Sequence, residues 1–209
     1  MLEIMFKNTW HKLGLVNEPE IINEEWRLLK EAYSQPNRIY HDINHIDEMI
    51  QYVVIKYKDH DTSKNLDFWL LLYMVFYHDF DDTSRLYSEI GSAQKAVAVI
   101  IDYHDNIAKK DLAYMTSTVF SGIITTMVHE SDIKLFQYLL DADHQRFKDM
   151  DKYDPMIRAE YIQHDDSIYN SGRVKVLNSF VNRNPFYYLD TEESNKLAIA
   201  NIQKAIAKM

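Results

Sequence analysis

The sequence predicts an all-α fold, a single-domain helical bundle. With Gly 4 and Pro 4 among 209 residues, few breakers interrupt the chain. Apolar residues recur at i, i+3, i+4 over long stretches, the spacing of helices with one buried face. No segment alternates convincingly as a strand does, and Phe186-Tyr-Tyr-Leu is the sole weak candidate. No repeat, low-complexity tract or Gly/Ser linker divides residues 1–209.

Taken in order, Pro19 opens a helix through about Tyr33, where a first-turn proline is tolerated. Pro36 breaks the pattern, and the next helix runs from about His41 to Tyr57. Its stripe is Ile46, Met49, Ile50, Val53, Val54 and Tyr57. Ser63 is the expected cap of a helix ending near His78. Phe68–Tyr77 is apolar on every side, as in a helix at the middle of a bundle. A polar loop, Asp81–Arg85, leads to a helix with Ile90, Ala93, Val97, Ile100 and Ile101 inward. Another spans about Lys110 to Val128. A shorter one starts near Asp132, with Leu135, Phe136, Leu139, Leu140 and Phe147 on its stripe. Pro155–Gln163, Asn170–Asn182 and Glu192–Ala207 complete the set. The core is expected over about 26–182, with a C-terminal helix at 191–208.

Composition excludes several functions. Without cysteine there is no disulfide scaffold, thiolate zinc site or cysteine nucleophile. Gly14, Gly91, Gly122 and Gly172 are too scattered for a dinucleotide loop, a P-loop or a nucleophile elbow. The net charge of −9 argues against a protein that coats nucleic acid, though not against a small phosphorylated ligand. Phe68–Tyr77 is too short to span a bilayer, and Met1–Lys7 lacks a basic start followed by a long apolar run. A cytoplasmic protein without membrane partners is expected.

The informative residues are polar groups on faces that periodicity buries, where a charge is costly unless paired or metal-bound. Asp143 lies on the stripe of Leu139, Leu140 and Phe147. Glu89 heads the line of Ala93 and Val97, where a helix dipole alone would favour a carboxylate. His78-Asp79 closes the most hydrophobic helix, and an aspartate there needs a compensating cation. His41 and His45 are placed one helical turn apart. Two histidines and two aspartates on buried edges suit a borderline divalent ion with positions left for water and substrate. The zinc-protease pattern is absent, and so is any Glu-x-x-His for a di-iron bundle.

The order His45, His78-Asp79, Asp143 resembles the HD-domain superfamily of metal-dependent phosphohydrolases. The likeness extends through Pro36-x-Arg-x-Tyr-His-x-x-x-His-Ile, Tyr77-His-Asp-Phe, Ser88-Glu-x-x-Ser-Ala and Thr126-x-x-His. It continues in Leu139-Leu-Asp-Ala-Asp, Ile157-Arg-x-Glu-Tyr and Tyr169-x-x-Gly-Arg-x-x-Val-Leu. Together these segments cover about Trp26 to Ala207 and resemble predicted bacterial HD phosphohydrolases of this length. The resemblance implies an HD-type bundle with a divalent cation (Mn, Fe, Co, Ni, Zn or Mg) held by His45, His78, Asp79 and Asp143. Asp141 is the alternative to Asp143 but points about 200° away on the helix. By comparison with helical cyclic-nucleotide phosphodiesterases, His41 is placed to protonate the leaving oxygen. Glu89 and His129 correspond to positions that hold a second metal in some relatives.

The expected function is hydrolysis of a small phosphorylated substrate, foremost a nucleotide or related phosphoester, by metal-activated water. Glu89 orients that water or binds a second ion. Arg38, Arg158 and Arg173 are the candidate phosphate forks. The alternative is a non-catalytic regulatory domain that binds a metal and a nucleotide. A further alternative is an interaction bundle with structural histidines.

Overall fold

The computed structural model describes residues 1–57, 62, 65–81, 88–105, 107–183 and 186–209. The expected cap Ser63 and positions 82–85 of the polar loop lie outside them. The element order is α1 (Leu2–Lys12), α2 (Pro19–Ala32), α3 (Ile43–Tyr57), α4 (Leu66–Tyr77), α5 (Ser88–Tyr103) and α6 (Lys109–Val128). After these come α7 (Lys134–Asp143), a 3₁₀ segment (His144–Asp149), α8 (Met150–Glu160), α9 (Asp166–Val181) and α10 (Glu192–Ile206). Among the described residues there is no strand, and the protein is all-α as expected. No described helix is long and apolar enough to cross a membrane.

The centre is α4. The Asn65 side chain accepts from Phe68 N–H and starts the helix, and every residue from Leu70 to Tyr77 is buried. α1, α3, α5, α6 and α7 pack around it. α6 approaches closely because Gly122 lacks a Cβ. One built there would fall on Met74 Sδ and press on the Phe136 ring. A separate apolar cluster joins Phe147, Leu177, Phe180, Phe186 and Ile202, and a smaller one joins Tyr40, Tyr153, Ile157 and Tyr169.

Several elements differ from the sequence reading. α1 was not expected; Phe6 and Trp10 bury its inner face, and Phe6 meets Phe76 edge-on at 5.3 Å. α3 begins at Ile43, because the Asp42 carboxylate accepts from His45 N–H at 3.0 Å and caps the helix there. His41 therefore sits in the preceding loop. Pro155 lies inside α8, whose start is set by Asp149 accepting from Lys152 N–H. Asp165 caps α9 earlier than Asn170. Ile101 is 50% exposed, and Ala96 and Val99 face inward instead. Phe186–Leu189 forms no strand, since Tyr188 and Leu189 direct their N–H groups to Asp141.

Candidate metal centre and its cavity

The ends of α4 and α7 and the first turn of α3 meet at one point. His78 caps α4 and is 1% exposed. Its Nδ1–H donates to Val75 O at 2.9 Å. A carbonyl can only accept, so Nε2 is the nitrogen turned to the site. It lies 3.1 Å from Asp79 Oδ2 and 3.9 Å from Asp143 Oδ1, and no hydrogen bond satisfies it. His45 Nε2 lies 3.1 Å from Asp143 Oδ1, and that ring too is 1% exposed. The structure thus brings His45, His78, Asp79 and Asp143 together from three helices. An orphaned buried nitrogen beside two carboxylates is a donor set that fits a divalent cation.

The groupings of potential ligand atoms among the described residues are two. One is His45, His78 and Asp79; the other is His129, Asp143 and His144. Within each, the ligand atoms lie within 4.8 Å of one another. Asp143 touches both, since its Oδ2 is 4.0 Å from His144 Nε2. His144 Nε2 and His129 Nδ1 are 3.1 Å apart. His129 ends α6 in the left-handed region at φ 55°, a conformation costing a non-glycine residue about 1 kcal/mol or more. His144 was missed in the sequence. The visible signal was its place directly after Asp143, an acid–imidazole pair like His78-Asp79. Glu89 is half-buried on the cavity wall and belongs to neither group.

Electrostatics divide the histidines. Burial keeps His45 and His129 below the ordinary range and pushes His144 down to about 3, so all three stay neutral. Burial also works against charge on His78, but Asp79 and Asp143 outweigh it and push His78 up to about 9. Burial opposes charge on both carboxylates. For Asp79 it is outweighed chiefly by His78, and for Asp143 by the hydrogen bond from His45; both stay below the usual carboxylate range.

His41 stands at the edge of this centre, its ring centroid 6.1 Å from that of His45. Its Nδ1–H donates to Glu160 Oε1 at 2.6 Å, which leaves Nε2 for the cavity. Glu160 Oε2 accepts from the N–H groups of Ile39, Tyr40 and His41 at 3.1, 2.8 and 3.0 Å. Burial would raise the Glu160 pKa, yet His41 and these backbone donors hold it at about 2. Burial would lower the His41 pKa, but Asp79 and Glu160 raise it above the ordinary value. Glu160 carried no role in the sequence reading, because nothing local connects it to a loop 119 residues upstream.

The three candidate phosphate forks separate. Arg38 is committed to main-chain carbonyls: Nη1–H donates to Asp79 O at 2.6 Å and Nη2–H to Phe80 O at 3.1 Å. It fastens the His-Asp turn and supplies the positive charge that a helix C-terminus ending in aspartate requires. Arg158 binds Asp166 and the carbonyls of Tyr161 and His164, clamping the turn from α8 to α9, and is not itself part of the cavity lining. Arg173 lines the cavity, with Nε and Nη2 donating to Asp154 Oδ1. The cavity measures about 470 Å³, within the range of small-molecule sites.

Asp141 is structural. It accepts from Tyr188 N–H at 2.9 Å, Leu189 N–H at 2.7 Å and the Tyr52 hydroxyl at 3.3 Å. Asp141→Ala leaves these donors unpaired and is expected to cost about 2–4 kcal/mol. Chemical denaturation checks this, alongside an unchanged capacity for Mn²⁺. Unaltered stability would remove Asp141 from this role.

No protein-family model matches the chain, and no curated protein or solved structure matches it either.

Proposed function

We propose that this protein is a metal-dependent phosphohydrolase of HD type acting on a small phosphorylated substrate. The observation that supports this most is the buried, orphaned Nε2 of His78 between Asp79 and Asp143, two carboxylates that line the cavity together with an acid-capable His41. His45, His78, Asp79 and Asp143 would hold a divalent cation, and His129 and His144 would share Asp143 toward a second. Such a cation activates water and polarises a phosphoryl oxygen. Around it, Arg173 presents a guanidinium to the substrate's anionic group. Glu89 orients the attacking water from the wall. His41 donates its Nε2 proton to the departing ester oxygen, and Glu160 keeps that ring charged and aligned. The nitrogen-containing donor set favours Mn, Fe, Co, Ni or Zn over Mg.

The test is turnover of phosphomonoesters, phosphodiesters and nucleotides by the purified chain with each of these ions. Hydrolysis dependent on added cation is expected; tight nucleotide binding with no turnover in any ion would replace the enzyme with a regulatory binding domain. Proton competition gives a separate check. A cation on His78 must displace the proton held there up to about pH 9. Apparent affinity for Mn²⁺ is therefore expected to rise about tenfold per pH unit between pH 6 and 8, with about one proton released. Calorimetry in buffers of different ionisation enthalpy counts that proton. A pH-independent affinity would exclude His78 as a ligand.

A further inference from the structure

His41 stands in a stretch, 39–42, that belongs to no helix. Its backbone groups must therefore find partners outside the stretch. Glu160 takes the N–H groups of Ile39, Tyr40 and His41. The acceptor side has a separate anchor in Arg146, which follows Asp143 by three residues and is 3% exposed. Its Nη1–H donates to Tyr40 O, immediately before His41. Its Nη2–H donates to Asp42 Oδ1 at 3.3 Å, immediately after His41. That same Asp42 oxygen accepts from His45 N–H and sets the start of α3. Arg146 thus binds both neighbours of His41, and with them the cap that keeps His41 out of the helix.

The guanidinium is itself held on several sides. It lies 4.8 Å from the centre of the Tyr40 ring and 4.7 Å from that of Tyr153. Its Nε–H donates to Glu48 Oε2 at 2.7 Å, and Glu48 Oε1 accepts from the Tyr153 hydroxyl at 3.0 Å. Two rings and two carboxylates compensate the buried charge. The Tyr40 ring carries the restraint onward, meeting the His41 ring edge-on at 4.7 Å. Lysine could not take this place. Its ammonium is a point charge on a flexible stem, whereas three acceptors in fixed directions need a rigid planar fork.

We propose that Arg146 is a positioning residue for proton transfer: it fixes the acceptor side of stretch 39–42 so that His41 Nε2 faces the cavity, and Glu48 and Tyr153 hold Arg146 in place. It acts through His41 and touches neither substrate nor cation. An ion pair serving stability alone would be complete with Glu48. The bonds to Tyr40 O and Asp42 instead converge on the two residues that flank the acid. The inference rests on reading His41 as the proton donor.

The experiment uses Arg146→Lys, which keeps the charge and loses the fork. Hydrogen–deuterium exchange of the full chain comes first, because it needs no substrate. Amides 39–41 are expected to exchange at least about tenfold faster, while those of α4 and α7 keep the wild-type rate. Glu48→Ala removes one support through a side chain 37% exposed, so folding is kept, and should speed the same amides about threefold. With Mn²⁺, Arg146→Lys should lower kcat at least about tenfold on an alkyl phosphate, whose leaving group needs a proton, and less than about threefold on p-nitrophenyl phosphate. Mn²⁺ affinity should stay unchanged. On a His41→Ala background the substitution should cost no more than about twofold, since the group it positions is gone. Unchanged exchange at 39–41 would overturn the proposal, and so would faster exchange across α4 and α7 alike. Equal loss on both phosphates, loss additive with His41→Ala, or weakened Mn²⁺ binding would also overturn it and leave the hydrolase standing. Faster exchange confined to 39–41, with no hydrolysis of any phosphoester by the wild type, would support Arg146 as the anchor of His41 and remove the hydrolase.

Discussion

Asp143→Ala is expected to abolish both cation content and phosphoester turnover while leaving the helices in place. Asp143 belongs to the group with His129 and His144 and also lies against the other, with contacts to His45 at 3.1 Å, His78 at 3.9 Å and His144 at 4.0 Å. Its removal takes an anionic ligand from either cation position at once. It caps no helix with its side chain, since α7 runs directly into the 3₁₀ segment and its partners are histidines of the site. Far-ultraviolet dichroism should be unchanged, elemental analysis should find no bound transition metal, and added Mn²⁺ should no longer raise Tm. Full activity in this variant would remove the proposed reaction. The contrast with Asp141→Ala, which loses stability and keeps the cation, separates the two acids by measurement.

His41→Ala is expected to keep the cation and lose turnover by about 10²–10⁴-fold, the worth of a positioned general acid. The loss should fall mainly on substrates with poor leaving groups, since good ones depart without a proton. Loss of the cation instead would move His41 into the ligand shell. Glu160→Gln tests the same step through pH. Turnover requires protonated His41, so it falls as pH rises through the His41 pKa. Glu160 raises that pKa, together with Asp79. The alkaline limb of the kcat profile should therefore move to lower pH in Glu160→Gln, and an unmoved limb would deny Glu160 its positioning role.

Much of the helical order was legible because its signals are local. The apolar run Phe68–Tyr77 identified the central buried helix, and the stripe of α3 identified its inner face except at Val54, which is 38% exposed. Boundaries were less legible where a cap competes with periodicity. Asp42, Asp149 and Asp165 each moved a helix start by pairing with a backbone N–H three residues on. The N-terminal helix was missed although Phe6 and Trp10 carry helical spacing.

Within the site, the histidines and aspartates could be singled out because a buried face carried groups that burial penalises. The sequence by itself determined the all-α class, the central apolar helix and which polar residues needed an explanation. Only the tertiary structure decided their partners. It turned Arg38 from a ligand fork into a fastener of the His-Asp turn, placed His144 beside His129 and joined Glu160 to His41. The reason is range: helix formation is governed by side chains three and four positions apart. The identity of a buried polar group's partner depends instead on segments 15, 41 and 119 residues away in these three cases, brought near by packing that no local pattern encodes.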